Sequence, residues 1–167
     1  MCDILPYSVT RTWHVQIAIF WIATSWLATG LYIAPAVSGA EPKFQRTGVN
    51  FLFISLLIIV VGSLAGQLLG VMQHFALTTN FWFGHQGLES VDLGRFWQIY
   101  LFVGLLLWLV LMLRALAPSF KRKTADKNLL ILFVFSSIAI ALFYGAGLTW
   151  GQHTHLSIIE YSEFQVL

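Results

Sequence analysis

Four long runs without a charged residue constrain this chain more than any other feature of its sequence. The runs extend over about 13–34, 48–72, 96–113 and 129–150. A helix needs about 20 apolar residues to cross the roughly 30 Å hydrocarbon core of a bilayer. Lone strands would leave backbone groups unpaired in lipid. The sequence therefore predicts an all-α, polytopic bundle of about four transmembrane helices, and we expect the first to stop at Pro35.

Composition supports lipid as the solvent of this chain. Hydrophobic residues make up 58% of the 167 positions and charged residues 10%, whereas soluble domains carry about 25% charged residues. The single cysteine, Cys2, excludes an intrachain disulfide framework and a cysteine-rich metal site. The segments between the runs are short, so residues 1–167 are interpreted as one membrane unit. We expect a lipid bilayer as partner and no nucleic acid.

The basic residues predict an orientation. Seven of the nine lysines and arginines flank the first and third connections, leaving only Arg11 and Arg95 at the other ends of the spans. Because short loops rich in Lys and Arg stay in the cytoplasm, both termini and the connection over about 73–95 are predicted outside. The stretch 121–123 (Lys-Arg-Lys) is either an orienting loop, the interpretation we favour, or a site for acidic lipid. Cleavage of the first span as a signal peptide near Ala36 is the less favoured alternative, because the run is too long.

Some polar and small residues could carry packing or chemistry. Gly62, Gly66 and Gly70 repeat every fourth position, which predicts close packing of the second span against a neighbour. Asp92 is a candidate N-cap for a helix beginning near Leu93. Nothing in the sequence has the pattern of a nucleotide-binding loop or a hydrolase triad.

The five histidines divide into two groups. His14 lies at the mouth of the first span, where a titratable group is a functional candidate, and imidazole is an ordinary axial ligand of haem iron. An interfacial histidine held by headgroups and water is the alternative. His74, His85 and the pair His153 and His155 are interpreted as hydrated loop residues. Metal binding by the pair is the less favoured alternative, because two positions apart on a helix their side chains diverge.

Several segments resemble the catalytic cytochrome b subunit of bacterial nitric oxide reductases, most closely the quinol-dependent, single-polypeptide form in the haem–copper oxidase superfamily. They begin at Arg11-Thr-Trp-His-Val-Gln, Gly30-Leu-Tyr-Ile-Ala-Pro and Glu41-Pro-Lys-Phe-Gln. They continue through Gly62-Ser-Leu-Ala-Gly-Gln, Asn80-Phe-Trp-Phe-Gly-His-Gln-Gly, Val91-Asp-Leu-Gly-Arg-Phe-Trp-Gln and Phe143-Tyr-Gly-Ala-Gly-Leu-Thr-Trp-Gly-Gln-His-Thr-His. The resemblance covers nearly the whole chain.

The resemblance implies a respiratory oxidoreductase that joins two NO molecules into N2O during denitrification, in the bacterial inner membrane. It implies that His14 is an axial ligand of a low-spin haem b, and it makes Glu89 a weaker candidate for a calcium or haem-propionate cluster. Quinol is the implied electron donor, and the remaining helices of the reductase are the implied partners. The family also has a high-spin haem and a non-haem iron, for which this sequence offers no matching ligands.

Beyond Tyr161 the sequence departs from the family, reading Ser162-Glu-Phe-Gln-Val-Leu where the family continues into a ligand-bearing helix. We therefore expect a fragment of a larger catalytic subunit that is inactive by itself. Two alternatives remain open: a non-catalytic membrane module that docks with other helices, and a small membrane cytochrome b.

Overall fold

A computed structural model describes residues 5–86, 92–121 and 127–150. Within these ranges the chain forms five helices and one two-stranded antiparallel sheet. In chain order the elements are α1 (Tyr7–Ser38), α2 (Gln45–Val71), α3 (Leu77–Phe83), β1 (His85–Gln86), β2 (Asp92–Leu93), α4 (Arg95–Lys121) and α5 (Lys127–Trp150). Four of the helices, α1, α2, α4 and α5, are long and apolar enough to cross a membrane. The predicted all-α bundle is confirmed.

The boundaries of two spans differ from those predicted. α1 does not stop at Pro35 but continues to Ser38, and α4 continues past Leu113 through Pro118 to Lys121. Both prolines lie in the last turn of their helices. Each removes one backbone N–H donor close to the helix end, and the helix extends only a few residues beyond it. α1 ends instead at Gly39, whose left-handed φ of 65° lets its N–H donate to the carbonyl of Pro35 at 2.8 Å.

α4 is the central helix of the bundle, because it packs against α1, α2 and α5. Trp108 of α4 is 1% exposed and packs in a buried hydrophobic cluster with Met112, Leu116 and Ala34. The Trp108 indole N–H donates to the carbonyl of Leu27 at 2.8 Å, so burial leaves its polar atom satisfied.

Much of the apolar side-chain surface remains outside this core. Trp21 is 75% exposed, Tyr32 81% and Phe135 73%, and only 11% of the most apolar window of α5 is buried. In water such a surface would drive aggregation. In a bilayer, lipid tails or neighbouring helices solvate it at little cost.

The two ends of the bundle differ in charge. One, the basic end, carries Lys43, Arg46, Arg114, Lys121 and Lys127. Arg114 ties the first connection to α4 there by donating to the carbonyl of Lys43 at 3.0 Å. The other, the cap end, carries Arg11, Arg95 and the short elements α3, β1 and β2. The predicted charge separation therefore corresponds to two opposite ends of one bundle.

Candidate functional site

His14 lies on α1 near the cap end, with its side chain exposed. Ile17, Trp21 and Ser25 follow it at intervals of three or four residues and are also exposed, so the four side chains share one face. We call these residues the open face of α1. Ser25 donates within the helix, to the carbonyl of Trp21 at 2.9 Å. His14 is thus held on a rigid helix, directed away from the other described helices.

The opposite face of α1 is buried and partly polar. Thr12, Gln16 and Phe20 lie on this face, and Gln16 is 6% exposed. The Gln67 side chain of α2, fully buried, donates from Nε2 to Oε1 of Gln16 at 2.8 Å. Since a polar group without a partner is costly in an apolar interior, this pairing fixes the rotation of α1 relative to α2.

A second polar group joins α4 to α5 at the same end. Arg95 donates through one guanidinium nitrogen to Oε1 of Gln98 at 3.2 Å and through another to the carbonyl of Leu148. Gln98 donates to the carbonyl of Leu93 at 2.8 Å, and the Tyr144 hydroxyl donates to the carbonyl of Gln98 at 3.1 Å. A cation beside carbonyls at the C-terminal end of α5 is also favoured by the helix dipole.

These buried polar residues were not predicted from the sequence. A signal was present, because the first three spans each carry one glutamine near the cap end: Gln16, Gln67 and Gln98. An amide inside a membrane span requires a partner, and three at one end predict a common polar layer.

The described parts of the connection between α2 and α4, namely α3, β1 and β2, form a cap at this end of the bundle. α3 leads into β1, which pairs with β2 so that His85 lies opposite Leu93 and Gln86 opposite Asp92. The glycine face of α2 meets this cap as predicted. An added Cβ at Gly66 would overlap the carbonyl oxygen of Phe83, and one at Gly62 would overlap the Trp97 ring.

Two predictions about this connection are wrong. His85 is not in a hydrated loop. It belongs to β1 and its side chain is half-buried, whereas the side chain of His74 is exposed. Its backbone N–H donates to Oδ1 of Asn80 at 3.3 Å, which folds β1 against α3. Asp92 is not an N-cap, because it belongs to β2 and α4 begins three residues later, at Arg95.

The positions of the remaining histidines and of Glu89 are as follows. His74 is exposed after α2, as expected for a hydrated residue. Glu89, His153 and His155 lie outside the described residues. Within the ranges 5–86, 92–121 and 127–150, no three histidine, cysteine, aspartate or glutamate side chains come together as a metal cluster. His14 is therefore the one sequence-predicted ligand that the described part of the chain places in a membrane helix.

Comparison with known proteins supplies the family context for this geometry. The sequence model of the family described as cytochrome c and quinol oxidase polypeptide I matches residues 2–166. A comparison with curated proteins gives no match. The matched range includes all four membrane helices and the cap.

Proposed function

Because this chain belongs to the cytochrome c and quinol oxidase polypeptide I family, we propose that it is part of the catalytic subunit of a quinol-dependent nitric oxide reductase. Membership makes it a multi-pass membrane subunit of the respiratory haem–copper oxidase type. The reductase type is supported by the residues around α1 and the cap. The stretches Arg11-Thr-Trp-His and Asn80-Phe-Trp-Phe-Gly-His resemble nitric oxide reductases.

The observation that carries the proposal is the position of His14 on the open face of α1. A low-spin haem b needs an axial imidazole that no other helix covers, next to apolar and aromatic side chains. His14 is exposed, and Trp21, two turns along the same face, presents a large ring that is 75% exposed. The residues present therefore fit one axial position of such a haem.

In this proposal each group of residues has a distinct task. Haem, when bound, supplies one-electron chemistry. His14 holds the iron from a helix whose rotation is fixed from behind by Gln16 and Gln67. Arg95 holds α4 and α5 together at the cap end through its two hydrogen bonds. A second ligand for the iron would come from outside the described residues, either from His153 or His155 or from the remaining helices of the enzyme.

The ligand role is tested by the visible spectrum of the intact enzyme that contains this chain, purified with its haem. His14→Ala removes the only imidazole on the open face, so we expect the low-spin signal of the reduced-minus-oxidised spectrum to disappear. His74→Ala is the matched control, because it removes an exposed histidine outside the membrane helices. Helical content by circular dichroism should be equal in both variants. An unchanged low-spin signal in His14→Ala would exclude the ligand role.

The choice between reductase and oxidase is tested in membranes of the source organism. Removing the gene should abolish quinol-dependent consumption of NO and leave quinol-dependent consumption of O2 unchanged. The reverse result would assign the chain to an oxidase, and no change in either would favour the non-catalytic module.

A further inference from the structure

A groove of about 400 Å³ runs along the bundle between α1, α4 and α5. Trp26, Thr29 and Val37 of α1 form one wall, Leu116 of α4 forms the floor, and Leu129 and Phe133 of α5 form the other wall. Trp26 packs on Trp108 with ring centroids 4.9 Å apart, so this wall is anchored in the core. The groove is thus formed by the packing of these three helices.

The groove has the length of one leaflet of a bilayer. Its ends on α1, Trp26 and Val37, are eleven positions apart, which corresponds to about 16 Å at the helical rise of about 1.5 Å per residue. The hydrocarbon core is about 30 Å thick, so half of it is about 15 Å. A chain that fills the groove along α1 therefore extends from the membrane surface to the middle of the bilayer.

The lining is suited to a hydrocarbon chain. Among the described residues that line it, Thr29 supplies the one hydroxyl, and that hydroxyl donates to the carbonyl of Ser25 at 2.7 Å. No side-chain hydroxyl therefore remains for a polar head inside the groove. An acyl chain needs no polar partner there, whereas a quinone ring with its carbonyl groups requires hydrogen-bond donors.

The open end of the groove carries positive charge. Lys121 ends α4, Lys127 begins α5, and both are exposed. Leu130, which also lines the groove, follows Lys127 by three positions and so lies on the same face of α5. Basic side chains next to a membrane surface attract anionic headgroups. A phosphate bound by these lysines would therefore lie at the basic end of the bundle, near the groove.

From this combination we infer that the groove binds one anionic phospholipid, with an acyl chain between α1 and α5 and its phosphate at Lys121 and Lys127. The lipid fills the space between two helices that both pack on α4. The site is at the basic end, away from His14 and the cap, and it does not depend on the proposed haem.

The test uses the full chain in nanodiscs of phosphatidylcholine that contain a small fraction of phosphatidylglycerol with a diazirine on one acyl chain. Illumination should place most of the label on peptides that contain residues 26–37 and 129–133. Unlabelled phosphatidylglycerol should compete for the site on the order of thirtyfold better than unlabelled phosphatidylcholine, which corresponds to the combined attraction of two lysines.

Two pairs of variants separate the acyl and headgroup contacts. Ile33→Trp adds bulk to an exposed lining position and should abolish groove labelling, whereas Ile17→Trp, half-exposed on α1 near the cap end, should not. Lys121→Gln with Lys127→Gln should remove the preference for the anionic lipid. Lys43→Gln, an exposed lysine of the first connection, should preserve it. Circular dichroism checks that every variant is folded.

Three results would overturn the inference. Labelling spread evenly over exposed apolar helix faces would indicate annular lipid only. Equal competition by both lipids would exclude recognition of charge. Labelling at residues 17–22 but not in the groove would mean that another helix or a quinone already covers it.

Discussion

Gln16 and Gln67 form a hydrogen bond of 2.8 Å between two membrane helices, although fifty-one positions separate them in the sequence. Both side chains are buried, so the pair is a polar contact between α1 and α2 that is shielded from lipid. Because removing one amide leaves the other buried beside an apolar group, we expect Gln67→Leu to lower the free energy of unfolding by about 1–3 kcal/mol.

The double variant Gln16→Leu with Gln67→Leu should recover most of that loss, because both polar groups are then absent. Unfolding in bicelles measures all three variants in one double-mutant cycle. A double variant that loses as much stability as the two single variants together, or more, would show that the amides do not act as a pair.

The glycine face of α2 provides a matched comparison. At Gly66 an added methyl would overlap the backbone oxygen of Phe83, whereas at Gly104 of α4 an added methyl would have no atom within 4 Å. We expect Gly66→Ala to cost about 1–3 kcal/mol, because the cap must move and the 2.9 Å bond from the Trp97 indole to Phe83 is strained. Gly104→Ala should be neutral or stabilising by up to about 1 kcal/mol, since alanine is the better helix former.

Thermal unfolding followed by circular dichroism compares these two alanine variants. Trp97 fluorescence is not resolved among seven tryptophans, so hydrogen exchange of residues 77–86 reports on the cap instead. Equal stability of the two variants would contradict the close approach of Gly66 to the carbonyl of Phe83.

Arg95 and Arg114 lie near opposite ends of α4 and differ in burial. Arg95 is half-buried with bonds to Gln98 and Leu148, whereas Arg114 is exposed with one bond to Lys43. Arg95→Leu should therefore destabilise the chain by about 1.5–3 kcal/mol, and Arg114→Leu by less than about 1 kcal/mol. Unfolding of the two variants under the same conditions checks the order, and a larger effect of Arg114→Leu would refute it.

The orientation in the membrane is a prediction of the charge separation, with the cap end outside. It can be tested with single cysteines at exposed positions in a Cys2→Ser background: Thr78→Cys in α3 and Asn128→Cys at the start of α5. An impermeant maleimide added to intact cells should label the first and not the second. Labelling of Asn128→Cys alone would show that the basic end, and not the cap end, is outside.

The number and approximate position of the membrane helices could be predicted because an uncharged apolar run of this length has one stable form in lipid. The helix ends could not. Pro35 indicated the end of α1, but a proline in a last turn breaks few hydrogen bonds, so the helix continues past it. The uncharged run of α4 ended at Leu113, but the exposed Arg114 extends to the membrane surface and the helix continues to Lys121.

The rotation of each helix about its axis was also beyond the sequence. In water, an apolar stripe marks the buried face of a helix, but in lipid both faces are apolar and the stripe is absent. Nothing in the spacing therefore distinguished exposed Ile17 from buried Phe20. Glycine spacing was the exception, because small residues mark a contact face in any solvent, and the face of Gly62, Gly66 and Gly70 was predicted correctly.

The central position of α4 has a consequence for biogenesis. The ribosome delivers α1 and α2 to the membrane before α4 exists, so both helices must wait in lipid for the helix on which they mainly pack. During that interval the buried glutamines of α1 and α2 have each other as partners. The same hydrogen bond that orients the finished bundle can therefore hold α1 and α2 together before α4 arrives.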